Sequence, residues 1–296
     1  MTDTRRSHLR ELLRQSRILI APGAFDALSA RLVEQAGFPV VYMTGSGVSN
    51  SQLGEPDLGL TSMTEMATQA ARMCQATSIP LIADADTGYG GVLNVRRTVQ
   101  EYERAGVAAL HIEDQVFPKR CGHFAGKAVI PLDEMVGKIR AALDARSDPD
   151  LVIIARTDAR AVEGFDAALR RAHAYEEAGA DALFVEAPQT LEEMETICRS
   201  FRVPLVANMV EGGATPILPD GDLEKLGYRV VLHAGSLLRT AARAIQEVLD
   251  CLRRTGSTIG WEGRLISFEE RNRVTNLEGM QAWADRFSAA AEGAPS

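Results

Sequence analysis

The chain has 296 residues, 46% of them hydrophobic and 24% charged, which suits one large soluble domain with a sizeable core. Its formal net charge of -8 argues against a nucleic-acid-binding surface, and no apolar run reaches the length of a membrane span. The four cysteines, at 74, 121, 198 and 251, lie far apart without paired spacing, and the N-terminal stretch has no uninterrupted apolar segment before a small-residue cleavage site. A reduced, cytoplasmic protein without a signal peptide is therefore expected.

In chain order, short β-branched runs alternate with helical stretches. The runs are Ile18 to Ala21, Val40 to Thr44, Leu81 to Asp84, Ala108 to Glu113, Val152 to Arg156, Ala182 to Glu186, Leu205 to Asn208 and Arg229 to His233. They are apolar throughout rather than alternating, as parallel strands buried on both faces require. Helical periodicity lies between them, for example over Phe165 to Ala178 and Leu191 to Phe201. The phrases "EQAGF", "ERAGV", "EEAGA" and "EKLGY" each place a glycine between a helix and the next run, the signal of a left-handed helix cap. Eight βα units predict an α/β fold, a (β/α)8 TIM barrel spanning residues 1–256. A doubly wound open sheet is the rival, but "APGAFDALSA" lacks its glycine fingerprint. Residues 257–296 read as a C-terminal helical extension of the same domain. Its Trp261, Phe268, Trp283 and Phe287 either pack on a neighbouring subunit or cap the same barrel.

The carboxyl ends of the runs carry Thr44, then Asp84 and Asp86, Glu113 and Asp114, Arg156 and Asp158, Glu186, Asn208 and Glu211, and His233. In a barrel these converge on the rim where active sites form. Several acids near one point call for a cation, and hard oxygen ligands suit Mg²⁺ or Mn²⁺. "DADTGYGG" is the predicted metal segment. Asp84 and Asp86 share a face if the strand persists, Glu113 stands on the adjacent strand, and Gly88, Gly90 and Gly91 let the backbone bend around a ligand. Arg156 matches a substrate carboxylate bidentately, or else pairs with one of the acids.

Cys121 follows "HIEDQ" by a few residues, so it falls on a loop above the same rim. Its neighbours Lys119, Arg120 and His123 favour thiolate and argue against a core position. Cys74, Cys198 and Cys251 read as small buried hydrophobes. His111 and His173 read as structural histidines, and Met63, Met66 and Met73 as packing.

"KRCGH" from Lys119 to His123, after "DADTGYGG" and "HIEDQ", resembles the isocitrate lyase and phosphoenolpyruvate mutase superfamily from about Pro22 to Arg254. Within it, the signature is similar to that of the smaller lyases: 2-methylisocitrate lyases, 2,3-dimethylmalate lyases and oxaloacetate hydrolases. The resemblance implies a TIM barrel, a bound Mg²⁺ and a homotetramer built as a dimer of helix-swapped dimers. It implies Asp86 as direct metal ligand, with Asp57, Asp84 and Glu113 holding metal-bound waters. Thr44, Gly45 and Ser46 match the segment that binds a 2-oxo-acid carboxylate. Arg156, Glu186 and Asn208 match substrate contacts, joined by Arg120, Gly122 and His123 of the signature, and Cys121 matches the proton donor. "NMVEGGATP" (Asn208 to Pro216) is closer to dimethylmalate lyases and carboxyphosphonoenolpyruvate mutases than to methylisocitrate lyases, and "LHAGS" lacks the usual "YP".

The resulting expectation is a Mg²⁺-dependent carbon–carbon lyase that cleaves a 2-hydroxy di- or tricarboxylate into a 2-oxo acid and a second carboxylate. Tyr42, Lys119 and Glu113 are the candidate acid–base groups beside Cys121. The alternatives are a carboxyphosphonoenolpyruvate-type phosphonomutase, an oxaloacetate hydrolase and a non-catalytic Mg²⁺–dicarboxylate binder. No nucleic-acid or membrane partner is expected.

Overall fold

The computed structural model describes residues 4–120, 122 and 126–288. Eight parallel strands close into a barrel in the order β1 to β8. In chain order the elements begin α1 (Thr4–Arg14), β1 (Leu19–Ala24), α2 (Ala27–Gln35), β2 (Val41–Met43), α3 (Gly45–Leu53), α4 (Met63–Ala76), β3 (Leu81–Asp84) and α5 (Val92–Ala105). They continue with β4 (Ala109–Glu113), α6 (Leu132–Ala145), β5 (Val152–Thr157), α7 (Phe165–Glu177), β6 (Ala182–Val185), α8 (Leu191–Ser200), β7 (Leu205–Asn208), α9 (Asp220–Leu226) and β8 (Val230–His233). After these come α10 (Ser236–Thr255), α11 (Phe268–Val274) and α12 (Leu277–Ser288). All eight predicted runs contain a strand, with ends moved by up to three residues, and the TIM barrel is the observed architecture. No helix among the described residues is long and apolar enough to cross a membrane.

The chain divides into two compact units, Met1–Arg239 and Thr240–Ser296. In the first, the strands bury both faces. Their outward residues join the helices in one large cluster that includes Met66, Met73, Tyr102, Leu110, Ile153 and Tyr175. Their inward residues form a second cluster: Leu19, Tyr42, Ile82, Ala109, Ile154, Phe184, Val206 and Leu232 fill the barrel, with Leu9 and Leu12 of α1 packed against them. The four glycines predicted to cap helices all adopt left-handed backbone, with φ of 84° at Gly37, 92° at Gly106, 98° at Gly179 and 116° at Gly227. In the second unit, Cys251 and Val274 are buried, whereas Ile259, Phe268, Met280, Trp283 and Phe287 are exposed.

Closure of the barrel pairs Leu19 with Val230 and Pro22 with His233. At Gly23 the two ends of the sheet come together so closely that a Cβ would lie 2.4 Å from the Ala234 carbonyl oxygen. Only glycine fits there without moving backbone.

Candidate active site

Strand parity positions the site. Inward residues recur every second position, so Tyr42 is followed by Thr44, Ile82 by Asp84, Ala109 by His111 and Glu113, Ile154 by Arg156, Phe184 by Glu186 and Val206 by Asn208. Each of these six runs is packed by apolar side chains at its base and leads to a polar one at its carboxyl end. Tyr42, Thr44, Asp84, Arg156, Glu186 and Asn208 line a single cavity of ≈ 170 Å³, together with Ser46, Asp57, Lys119 and Gly122. Gly47, Asn50, Val210, Ala234, Gly235, Leu238 and Arg239 complete the lining.

The same parity corrects two expectations. Asp114 follows inward Glu113 and so points outward, behind the sheet. Its carboxylate accepts from the hydroxyls of Tyr175 and Thr157, each at 2.7 Å, and from the Asp158 backbone N–H at 2.9 Å. It lies 3.5 Å from Arg171 of α7. His233 follows inward Leu232 and lines a separate groove with Ile20, Leu32, Phe38 and Asp220, its Nε2 3.5 Å from the Asp220 carboxylate. Neither reaches the cavity. Glu211 is also turned aside, accepting from the Ser236 hydroxyl at 2.7 Å.

Asp84 and Asp86 converge, but not through a continuing strand. β3 ends at Asp84, and Asp86 adopts left-handed backbone with φ 46°. A non-glycine residue held in this region is strained, a feature concentrated at functional sites. The turn lets the Asp86 N–H donate to Asp84 Oδ1 at 2.9 Å and leaves both carboxyls buried. Left-handed Gly88 and Gly90 continue the bend. Thr44 caps α3, its hydroxyl accepting from Gly47 N–H at 3.3 Å, and the Gly45 N–H donates to Asp84 Oδ2 at 3.2 Å. The Thr44–Gly45–Ser46 segment therefore presents a helix N-terminus to the cavity, where backbone donors favour an anion.

Lys119 is the central cation. Its Nζ is 2.5 Å from Asp57 Oδ1 and 2.9 Å from Asp86 Oδ1, and its side chain is almost fully buried. Burial alone would lower its pKa, but Asp86, Glu113, Asp57 and Asp84 outweigh burial and raise it well above the usual lysine value. The group is an ammonium, so it cannot remove a proton, which corrects its candidacy as a base. Tyr42 fails in the same role, because burial and Asp84 raise its pKa well above 10.0 and keep the phenol protonated. Burial raises Asp86 to about 6, with Lys119 opposing and Asp84 and Asp57 adding to the rise. Burial also raises Glu113 well above the usual carboxylate range, against the pull of Arg156. Asp84 goes the other way: burial would raise it, but Lys119, Arg156 and the Asp86 N–H hold it below the usual carboxylate value.

His111, read from sequence as a satisfied structural histidine, faces inward. Its ring stacks on Tyr42 and meets Phe184 edge-on. Its Nε2 is 2.9 Å from the Tyr42 hydroxyl and 3.7 Å from Asp84 Oδ1, while its Nδ1 is buried without a hydrogen-bond partner. Burial lowers its pKa to about 4, so the ring is uncharged at neutral pH, and Lys119 and Arg156 are the cations facing Asp84. His173 is on α7, exposed, with its ring against Phe201.

Arg156 combines both of its predicted roles. Its Nε donates to Asp158 Oδ2 at 2.9 Å and its Nη2 to Asp158 Oδ1 at 3.2 Å, while Nε is 3.4 Å from Glu113. Its guanidinium also lies over the Phe184 ring and lines the cavity. Asn208 reaches Glu186 at 3.4 Å. Gly122 comes so close that a Cβ would be 2.6 Å from Arg156 Nη2 and 2.6 Å from Glu186 Oε1. Arg120 does not line this cavity; it borders a neighbouring groove with Gly126 and Lys127, and its backbone N–H donates to Gln115 Oε1 at 3.0 Å. Cys121 and His123 lie outside the described residues. Cys74 and Cys251 are buried. Cys198 is only half-buried, and burial pushes its thiol up to about 12.

The donor set fits a hard divalent cation. Asp57, Asp84, Asp86 and Glu113 supply only oxygen, and Glu113 Oε1 is buried without a hydrogen-bond partner. Asp86 Oδ1 has the Lys119 charge nearby but no aligned hydrogen bond. Among the described residues no group of three His, Cys, Asp or Glu side chains is placed to hold a metal ion. Mg²⁺ keeps several waters and takes only one or two carboxylates directly, so it does not require such a group.

Comparison with known proteins gives a consistent picture. The chain is 47% identical over 273 residues to a 2,3-dimethylmalate lyase of Eubacterium barkeri, covering 92% of this chain and 94% of the relative. It superposes on a crystal structure of 2,3-dimethylmalate lyase, a PEP mutase/isocitrate lyase superfamily member, with TM-score 0.92 and 38% identity, covering 100% of this chain and 99% of that one. A phosphonopyruvate hydrolase in complex with oxalate and Mg²⁺ matches with TM-score 0.87 and 36% identity, covering 97% of this chain and 99% of that one. The model of the phosphoenolpyruvate phosphomutase family matches residues 9–253, and with the barrel and its acid-lined cavity this establishes that the chain belongs to that family.

Proposed function

We propose that the protein is a Mg²⁺-dependent carbon–carbon lyase acting on a 2-hydroxy di- or tricarboxylate of the 2,3-dimethylmalate or 2-methylisocitrate type. The observation that carries this reading is one cavity lined by Asp84, Arg156, Glu186 and Asn208 from the strands' carboxyl ends together with Asp57 and Lys119 from the connecting segments. The 47% identity to a 2,3-dimethylmalate lyase supports the substrate class. Asp86 would hold the metal directly, with Asp57, Asp84 and Glu113 contacting its waters. When bound, the ion supplies Lewis-acid polarisation of the substrate's 2-hydroxyl and carboxylate.

The chain's own residues divide the remaining work. The α3 N-terminus at Thr44–Ser46 binds the carboxylate that becomes part of the 2-oxo acid. Arg156, held by Asp158, takes the charge of the departing fragment. Tyr42 and Lys119 keep their protons and therefore donate hydrogen bonds to substrate oxygens. The hydroxyl proton is left to a cavity carboxylate; Asp57, Asp84 and Glu186 all line the space. As that proton leaves, the bond between the carbinol carbon and its neighbour breaks, giving the 2-oxo acid and a carbanion. Cys121 gives its thiol proton to that carbanion. The exposed apolar residues of the second unit, Phe268, Met280, Trp283 and Phe287, support assembly into a homotetramer.

The test incubates purified protein and Mg²⁺ with 2,3-dimethylmalate, 2-methylisocitrate, isocitrate and oxaloacetate. Release of a 2-oxo acid from one of the first three supports the reading. Oxalate and acetate from oxaloacetate alone would replace it with a hydrolase, and no turnover of any would remove it.

A further inference from the structure

Lys127 lies beyond the cavity, yet its ammonium is almost fully buried on the carboxylate that aims Arg156. Its Nζ is 2.9 Å from Asp158 Oδ1, with the Lys127 side chain 2% and the Asp158 side chain 0% exposed. The same ammonium donates to the Gly122 carbonyl oxygen. Asp158 is fixed on its other sides: both its oxygens accept from Arg156, and its backbone N–H donates to Asp114. Asp114 is in turn held by Tyr175 and Thr157. Gly122 faces the same Arg156 Nη2 across the 2.6 Å that a Cβ would leave.

We propose that Lys127 is a positioning residue: it ties the Gly122 carbonyl to Asp158 and so sets the distance between that backbone and the Arg156 guanidinium. The geometry is selective. A buried carboxylate needs one cation to offset its charge, and Arg156 already supplies one through two hydrogen bonds. The Lys127 ammonium is a second cation on Asp158 and at the same time donates to the Gly122 carbonyl, so it links the two. Asp158 is thus a fixed hub with Arg156 on one side and, through Lys127, Gly122 on the other. Removing the ammonium leaves Asp158 paired but frees Gly122 from it. This inference rests on the reading of Arg156 as the clamp for a substrate carboxylate.

The test is a double-mutant cycle on the full-length protein, with Lys127→Met and Lys127→Arg each made in the wild-type and Arg156→Lys backgrounds. Two readouts are taken: the affinity for oxalate in the presence of Mg²⁺ by calorimetry, and kcat and KM on whichever substrate is cleaved. Lys127→Met is expected to weaken oxalate binding about tenfold and lower kcat about 30-fold, as a displacement of under 1 Å at a clamp would. In the Arg156→Lys background the further loss is expected to stay below about threefold, and Lys127→Arg restores wild-type values to within about threefold. Equal losses in both backgrounds, no loss at all, or no restoration by arginine overturns the proposal. If Lys127→Met does not fold, Lys127→Gln in the two backgrounds decides by the same criteria. Failure of the lyase reading is visible separately, as wild-type protein that turns over nothing, and the oxalate cycle still decides the role of Lys127.

Discussion

Gly122→Ala isolates the geometry of the site from the stability of the fold. The backbone at Gly122 is not in the left-handed region, so alanine is tolerated locally, but its Cβ would stand 2.6 Å from both Arg156 Nη2 and Glu186 Oε1. Ordinary van der Waals contact begins at 3.4 Å, so each contact is short by about 0.8 Å. Both groups are ends of side chains, but Arg156 is tethered by two hydrogen bonds to Asp158 and cannot swing away freely. The strain is therefore relieved by a shift of the clamp or of residue 122. A misplacement of this order costs about 100-fold in turnover, or about 2.7 kcal/mol of transition-state stabilisation. Steady-state kinetics on the cleaved substrate, calorimetry with oxalate and Mg²⁺, and a thermal melt give the answer. The expected result is the loss of activity and weaker oxalate binding with a melting temperature close to wild type. Unchanged kinetics and unchanged affinity would mean that Gly122 is not pressed against Arg156 and Glu186, and the description of the cavity would fall.

Three further outcomes follow from the same structure. His111 is buried with its pKa lowered from 6.5 to about 4, so the unfolded chain takes up the proton first as pH falls; stability is lost between these values, by about 3 kcal/mol, and levels off below them. Denaturant titrations of wild type and His111→Gln across pH 7 to 4 check this, the variant showing the shallower fall; parallel slopes would place the pH dependence elsewhere. Cys121→Ala should retain oxalate affinity and lose turnover by at least about 100-fold, and a fully active variant would remove the thiol from the chemistry. Trp283→Glu, on a residue 57% exposed, should reduce the mass measured by light scattering if α12 covers its apolar face with another copy of the chain; an unchanged mass counts against the homotetramer.

The barrel was legible because buried parallel strands are continuous apolar runs and because helix-ending glycines mark the turn in four of the eight repeats. The cavity was legible in part for the same reason, since Asp84, Arg156, Glu186 and Asn208 close those runs and line it. Asp114 and His233 were misplaced because proximity to a strand end does not reveal the face; counting parity from Ile112 and Leu232 would have turned both outward. Asp86 turns back on Asp84 and Lys119 through its own left-handed backbone, which no strand rule anticipates. The base candidates Lys119 and Tyr42 fail on charge rather than position, because the protonation of a buried group depends on neighbours brought from distant strands. Asp57 carries no local signal at all, as it lies in the segment between α3 and α4 and enters the site only through its pairing with Lys119. Lys127 is likewise silent in sequence, because its role is set by where a long side chain ends.

The seam at Gly23 reaches further than closure of the sheet. Ala234 and Gly235 line the cavity, and the Ala234 carbonyl lies against the bare α-carbon of residue 23. The position of that stretch of lining is thus set in part from the opposite end of the polypeptide, by a residue that does not itself line the cavity. A methyl group there would collide with the Ala234 backbone, so one of the two segments would have to move. Divergence among barrels of this kind can then proceed from behind the chamber, through its masonry rather than its furniture.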